Sequence, residues 1–306
     1  MLPLVSVIIP VYNGSNYLAE AIDSALAQTY DNIEIIVVND GSKDDGATER
    51  VAFSYGDKIR YILKENGGVS SALNRGIAEM KGEYFSWLSH DDLYTPEKIE
   101  KQVALIKDKK DIVLCSGSLI SANGTPIKHK VKVLDKKLDG VGIFGEVLRN
   151  YALNGLGFLV PKSVFDKVGL FDETMRYLQD FDMWVRIMWY DYKFICHSDK
   201  LVISRVHKAQ QTHTIPEQYL IDRDRLAIKH IEMLKTFIGS NKSEILEHYL
   251  YFFAKEANKK AFKIVEAMYL KDKSDSFKVK IRCLSYFVMG YLMNIGRRIR
   301  SSFLKV

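Results

Sequence analysis

Short apolar runs at Val5–Ile9, Ile33–Val38, Ile59–Leu63 and Tyr84–Leu88 alternate with stretches of helical periodicity. That order predicts a parallel sheet covered by helices on both faces, because strands buried on two sides read as continuous rather than alternating apolar segments. Between the first two runs, Leu18, Ile22 and Leu26 recur at four-residue spacing behind Asn13 and Ser15. This is the pattern of a one-sided helix with candidate caps. Ser70 to Met80 reads likewise and closes at Gly82. The first 100 residues therefore form a doubly wound α/β unit.

Past Pro96 the pattern gives a helix to about Lys107, a strand at Ile112–Ser116 and a hairpin turning at Asn123-Gly124. Shorter, mixed elements follow to Val206, with a helix near Asp182–Trp189 and strands at Lys193–Cys196 and Leu201–Val206. After Pro216 the periodicity is wholly helical, at Gln218–Ile238, Glu244–Val265 and Phe277–Ile299. A boundary is placed at residue 215.

A length of 306 residues suits one large domain with an appendage. Cys115, Cys196 and Cys283 are odd in number and lack ligand spacing, which argues against a disulfide framework and for a reducing, cytoplasmic setting. Leu4 to Val11 is apolar but has no basic segment before it and contains Pro10, so it reads as a buried strand rather than a leader. The net charge of +6 is uneven: residues 271–306 hold nine Lys or Arg and two Asp, a balance of +7, leaving −1 for the rest. A near-neutral body gives no reason to expect nucleic acid as a partner.

In open parallel sheets ligands sit outside the carboxyl ends of the strands. Here those ends are polar: Pro10-Val11-Tyr12-Asn13-Gly14, Asn39-Asp40-Gly41-Ser42, Glu65-Asn66-Gly67-Gly68 and Ser89-His90-Asp91-Asp92. Taken singly, the Asn-Gly and Gly-Ser pairs are ordinary turns, and Asp40 could serve as a helix cap. Adjacent Asp91 and Asp92 ask for more, since neighbouring carboxylates repel unless a cation, a proton or hydrogen bonds compensate.

Together, Val5-Ser6-Val7-Ile8-Ile9-Pro10-Val11-Tyr12-Asn13, Val37-Val38-Asn39-Asp40-Gly41-Ser42-Lys43-Asp44, Asn66-Gly67-Gly68 and Ala72-Leu73-Asn74-Arg75-Gly76 strongly resemble family 2 glycosyltransferases. Trp87-Leu88-Ser89-His90-Asp91-Asp92, with Pro96 after it, occupies the place of that family's aspartate-rich metal motif, with Ser89 where many members carry an aspartate. The resemblance covers residues 4–210 and implies a GT-A fold, that is, a Rossmann-like, mostly parallel sheet flanked by helices, followed here by a helical C-terminal extension. It divides 1–215 into a nucleotide-binding half, 1–100, and an acceptor half, 101–215, ahead of a helical region at 216–306.

By the same resemblance Pro10, Tyr12 and Asn13 line the base and ribose site and Asp40 hydrogen-bonds the base. Gly67, Asn74, Arg75 and Asp91 lie at the donor, and Asp91 and Asp92, with His207, hold Mn2+ or Mg2+. Such hard cations take oxygen ligands and bridge diphosphate oxygens. A hydroxyl acceptor needs a base, and Asp180, in Tyr177-Leu178-Gln179-Asp180-Phe181-Asp182-Met183-Trp184, is the candidate, with Gln179 in place of the family's commoner glutamate. Asp182 is the rival, but as a helix-start residue it is expected to cap the Trp184 and Val185 amides.

The expected activity is inverting transfer of one sugar from a nucleotide diphosphate donor, UDP being the commonest base, to a glycan or lipid-linked glycan. The Gln-x-x-Arg-Trp signature of processive relatives is absent. A dinucleotide oxidoreductase is excluded by the lack of Gly-x-Gly-x-x-Gly after the first strand. The competing reading is a non-catalytic nucleotide-sugar-binding subunit of a polysaccharide assembly complex, against which Asp180 speaks. In the tail, the apolar run Leu284 to Ile295 is bracketed by basic residues and falls short of the roughly 20 residues a span needs. Contact of 277–300 with the inner membrane face, or packing on the catalytic body, are the two expectations there.

Overall fold

The computed structural model describes residues 2–128, 135–150, 154–207, 217–239, 241–255, 258–273 and 280–289. Two compact units emerge: one takes the chain up to Gly140 and again from 152 to Asp222, the other takes 141–151 and the chain from Arg223 onward.

In the first unit the four apolar runs become β1 (Val5–Val11), β2 (Ile33–Asn39), β3 (Arg60–Leu63) and β4 (Tyr84–Trp87). They are parallel in the order β3-β2-β1-β4. The helices between them are α1 (Leu18–Leu26), α2 (Ala47–Phe53) and α3 (Val69–Glu79). Every residue of β1 and β4 is buried, as the unbroken apolar runs require. The expected caps of α1 are not used: its first turn closes by Leu18 N donating to Gly14 O, while the Asn13 side chain accepts from Lys43 N. Asn13 is committed to the next strand end and so does not cap.

The chain then runs through β5 (Leu93–Tyr94), α4 (Lys98–Leu105), β6 (Asp111–Ser121), β7 (Pro126–Ile127) and β8 (Lys136–Asp139). The Asn123-Gly124 turn joins β6 to antiparallel β7, with Gly124 at φ +83°. After α5 (Gly140–Asn150) come β9 (Phe158–Pro161), α6 (Ser163–Val168), α7 (Gln179–Met188) and β10 (Lys193–Val206). The sheet continues β4-β9-β6-β10-β5. β9 is antiparallel to both β4 and β6, while β10 is parallel to β6. This half is mixed where the first is parallel, yet β4, β6 and β10 point the same way.

Two boundaries differ from the sequence reading. The strands expected at Lys193–Cys196 and Leu201–Val206 are one strand, β10, whose register against β6 slips between His197 and Val202. Ser198 and Asp199, and then Leu201, are passed over in the pairing with β6, while Lys200 between them pairs with Ser116. The stretch Glu244–Val265 is two helices, α9 (Lys242–Lys255) and α10 (Lys259–Asp272), after α8 (Glu217–Thr236). Asn258 starts α10 by accepting from Ala261 N.

In the second unit Phe144 packs its ring on Tyr249 at 5.1 Å and Tyr249 Oη lies 2.7 Å from His230 Nδ1. A last helix covers 280–289; residues 277–279 and 290–299 of the expected tail helix lie outside the described residues. No described helix is long and apolar enough to cross a membrane.

Candidate functional site

Strand order reverses between β1 and β4: the connections after β1 and β2 step one way, and β4 lies on the other side of β1. Such a switch point leaves a crevice outside the carboxyl ends. Pro10 is buried at the end of β1, Tyr12 is exposed beyond it, and Asn13 follows in the left-handed region at φ 49°. Asn13 N donates to Ser42 Oγ at 2.9 Å, which knits the ends of β1 and β2 together. Gly14 is required on this wall, since a Cβ there would come within 2.3 Å of the His90 ring. His90, whose imidazole burial disfavours protonation, therefore packs against the β1 turn.

Asp40, expected at the base, is held by hydrogen bonds on both oxygens. Its Oδ1 accepts from Lys64 Nζ at 2.8 Å and Gly67 N at 3.0 Å, and its Oδ2 from Gly68 N at 2.7 Å and Asn66 Nδ2 at 3.1 Å. A carboxylate offers about four acceptor sites, so in this conformation all are engaged by the β3–α3 loop. A base would have to displace one of these donors. Gly67 thus enters the site as a backbone donor to Asp40, and Gly41, at φ +69°, has no room for a Cβ beside Asn66 N.

Asn74 and Arg75, expected beside the donor, have other partners. Asn74 exchanges two hydrogen bonds with the backbone of Phe171, both 2.9 Å, and donates to Glu173 at 2.8 Å. It tethers the segment leading to α7. Arg75 is half exposed and pairs with Glu79 one turn on.

At the end of β4 the two aspartates part company. Asp91 Oδ2 lies 3.0 Å from His207 Nε2 at the end of β10. Asp92 is buried and its Oδ1 accepts from Arg205 N at 2.7 Å; burial, then the Asp91 charge, pushes its carboxyl up to about 8. Of the two carboxylates expected at a cation, Asp91 faces His207 and Asp92 is tied to β10. Carboxylate oxygen and imidazole nitrogen at one point suit Mn2+, and the oxygen suits Mg2+. No group of three or more His, Cys, Asp or Glu lies together among the described residues.

Arg205, near the end of β10, is the hub. Its guanidinium donates to Asp91 O, Ala122 O and Glu20 and stacks over Tyr17 at 4.4 Å, and Tyr17 meets the His207 ring at 5.3 Å. Beneath β4, fully buried Lys98 donates to Ser86 and Gln102, Tyr94 donates to Trp87 O, and Gln102 donates to Gly157 O. This network braces the strand that carries Asp91. Its sequence signal was the helix after Pro96.

Asp180 sits in the first turn of α7, behind Leu178 at φ 61°. Its Oδ1 accepts from Phe181 N at 2.7 Å, and enclosure of the carboxyl holds it above the usual carboxylate range despite that bond. The helix begins three residues earlier than expected, so Asp182 lies inside it. Its buried carboxylate takes Arg186 Nε at 2.9 Å rather than capping Trp184 and Val185.

One point joins the two halves. A Cβ on Gly155 would lie 2.9 Å from Trp184 Nε1, 3.5 Å from Asp180 Oδ2 and 3.7 Å from Trp87 Cζ3. Trp87 ends β4, four residues before Asp91, and neighbouring Asn154 donates to Ser204, three residues before His207. Gly155 thus has the Asp180 carboxylate on one side and Trp87, the last residue of β4, on another. The indole nitrogens of Trp87 and Trp184 and Oε1 of Gln179 are buried there without hydrogen-bond partners.

Comparison with known proteins gives the family. Residues 6–165 match the family described as Glycosyl transferase family 2. An uncharacterized glycosyltransferase of Rickettsia typhi is 46% identical over 276 residues, 87% of this chain and 85% of that protein. One of Rickettsia prowazekii is 50% identical over 222 residues, 71% and 68% of the two chains. The crystal structure of S. aureus TarS 1-349 in complex with UDP-GlcNAc superposes with a TM-score of 0.64 at 16% identity, covering 96% of this chain and 92% of that one, a likeness of fold. With its family match spanning just over half its length, this chain belongs to glycosyl transferase family 2 and is a glycosyltransferase of the GT-A fold, transferring a sugar from a nucleotide diphosphate donor.

Proposed function

We propose that the protein adds a single sugar, with inversion, from a UDP-sugar to a glycan or lipid-linked glycan in surface polysaccharide synthesis at the cytoplasmic membrane face. The observations that support this reading are the Asp91–His207 pair past the ends of β4 and β10, and an enclosed Asp180 carboxylate that shares Gly155 as a neighbour with Trp87 of β4. Asp91 and His207 would hold Mn2+ or Mg2+, which when bound neutralises charge growing on the departing diphosphate.

Asp180 takes the acceptor hydroxyl proton on its carboxylate as that oxygen attacks the anomeric carbon. The bond from that carbon to the diphosphate oxygen breaks, and the nucleoside diphosphate leaves with the bonding pair. Attack from the face opposite the leaving group inverts the centre. Enclosure raises the basicity of Asp180, which suits a group that must accept a proton in the transition state. Pro10, Tyr12 and Asn13 form the wall of the nucleoside site, and Asp40 with Gly67 sets the loop that closes it. Asn74 positions the approach to α7.

The UDP assignment follows the family's commonest donor, and the fold relative TarS is solved with UDP-GlcNAc. A thermal-shift panel of UDP-, dTDP- and GDP-sugars, with and without Mn2+, tests it. A donor that binds only the folded chain raises the melting temperature. The reading requires the largest rise with a UDP-sugar and its loss without the metal; a GDP- or dTDP-sugar in first place overturns the base assignment.

A further inference from the structure

The helix over 280–289 has two apolar faces. Its inner face is accounted for within the second unit: Cys283 is buried, Phe287 packs on Phe262 at 5.6 Å, and Tyr286 donates to Glu247 at 2.7 Å. Glu247 also takes Tyr269 and Arg282, so one carboxylate ties α9, α10 and this helix together. With that much polar and aromatic contact, the inner face alone explains why the helix is held.

The outer face is the anomaly. Ile281 is 51% exposed, Leu284 60%, Val288 46% and Met289 36%. Residues 281, 284 and 288 fall on one stripe at helical spacing, and exposed Lys280 and Arg282 flank it on either side. A solvated outer face would carry polar side chains between those two basic margins; among the described residues only Ser285 does so.

We infer that this stripe docks on an anionic lipid bilayer, lying in the plane of the interface. Charge selects that occupant. The segment 271–306 carries nine basic residues against two acidic ones, including Lys278, Arg297, Arg298, Arg300 and Lys305. Two copies pairing through the stripe would each bring a segment of net charge +7, whereas an anionic surface attracts such a segment. An apolar stripe between basic margins buries its side chains among acyl chains while the cations stay with the headgroups. The proposal concerns the second unit and does not depend on Asp180 or on the sugar chemistry; docking would keep the enzyme near a lipid-linked acceptor.

The test is co-sedimentation of the full chain with phosphatidylglycerol–phosphatidylcholine vesicles, against phosphatidylcholine alone. The chain should pellet with the anionic vesicles, less so as salt rises, and Leu284→Glu with Ile281→Glu should weaken binding by at least about tenfold. The inner-face contacts of that variant are intact, so its melting temperature should match the wild type. Leu284→Trp should keep binding and show blue-shifted emission on the anionic vesicles. Equal binding to neutral vesicles, no binding, or binding untouched by the glutamates overturns the proposal. So does a dimer in sedimentation velocity that the glutamates dissociate, which would assign the stripe to a second copy. Donor-induced thermal shifts, measured without vesicles, report on the sugar site independently.

Discussion

Asp91 and His207 stand 116 residues apart in the chain and 3.0 Å apart in space. The contact exists because β4 and β10 run in the same direction with their carboxyl ends on one side of the sheet. Arg205 fixes it from below, donating through its backbone to Asp92 and through its guanidinium to the Asp91 carbonyl. Asp91→Asn should therefore leave the fold intact and cost UDP affinity only when Mn2+ is present. Titration calorimetry of UDP with and without Mn2+ checks this: the wild type should show a metal-dependent gain on the order of tenfold or more, and the variant little or none. Equal metal dependence in both would remove Asp91 from the cation site.

Gly155 keeps open the space between Trp184, Asp180 and Trp87. Gly155→Ala places a methyl group within 3 Å of a fully buried indole, which has no slack to retreat. Sugar transfer should drop by on the order of a hundredfold through displacement of Asp180, with UDP affinity unchanged if the nucleoside is held at the proposed wall of Pro10, Tyr12 and Asn13. A loss of UDP affinity equal to the loss of rate would place Gly155 elsewhere in the reaction.

Lys98 is charged at a cost. Burial depresses its ammonium to about 8, against an ordinary value of 10.5, despite hydrogen bonds to Ser86 and Gln102. Between those two values the unfolded chain binds the extra proton, so stability contributed through this group rises as pH climbs from about 8 to about 10.5. The full effect is on the order of 3 kcal/mol. Urea denaturation across that window should show the rise in the wild type, and Lys98→Met should lack this component. Parallel pH curves for the two proteins would mean that the ammonium is better solvated than its burial implies.

The parallel half of the fold was legible because its strands are buried on both faces and its loops are spelled in turn residues. The second half was less so. Short strands such as β9 and short helices such as α6 hold too few residues to show a period. The strand ends Pro10–Asn13 and Ser89–Asp92 announced the crevice, and Asp180 was found by resemblance. What sequence could not show was the division of labour among polar neighbours. Asp40 and Asn74 look like ligand groups in a string of letters, yet their partners Lys64, Gly68 and Phe171 lie 24 to 97 residues away. Asp91 and Asp92 are adjacent in sequence but turn to different partners, and only the arrival of β10 decides which one meets His207. Arg205 and Gly155 have no local signal, since their roles come from what the fold brings to them.

The central claim is that Asp180 is the base, held above the ordinary carboxylate range by its enclosure. Because it must be deprotonated to act, the rate of transfer should fall as pH drops through its raised value, giving an acid limb above the usual carboxylate range. The decisive measurement is the pH–rate profile and donor affinity of Asp180→Asn beside the wild type, using the donor picked out by thermal shift. A rate loss of about a hundredfold or more, with donor affinity retained and the acid limb gone, is the predicted result. Transfer at near wild-type rate, or the same acid limb in the variant, would contradict it.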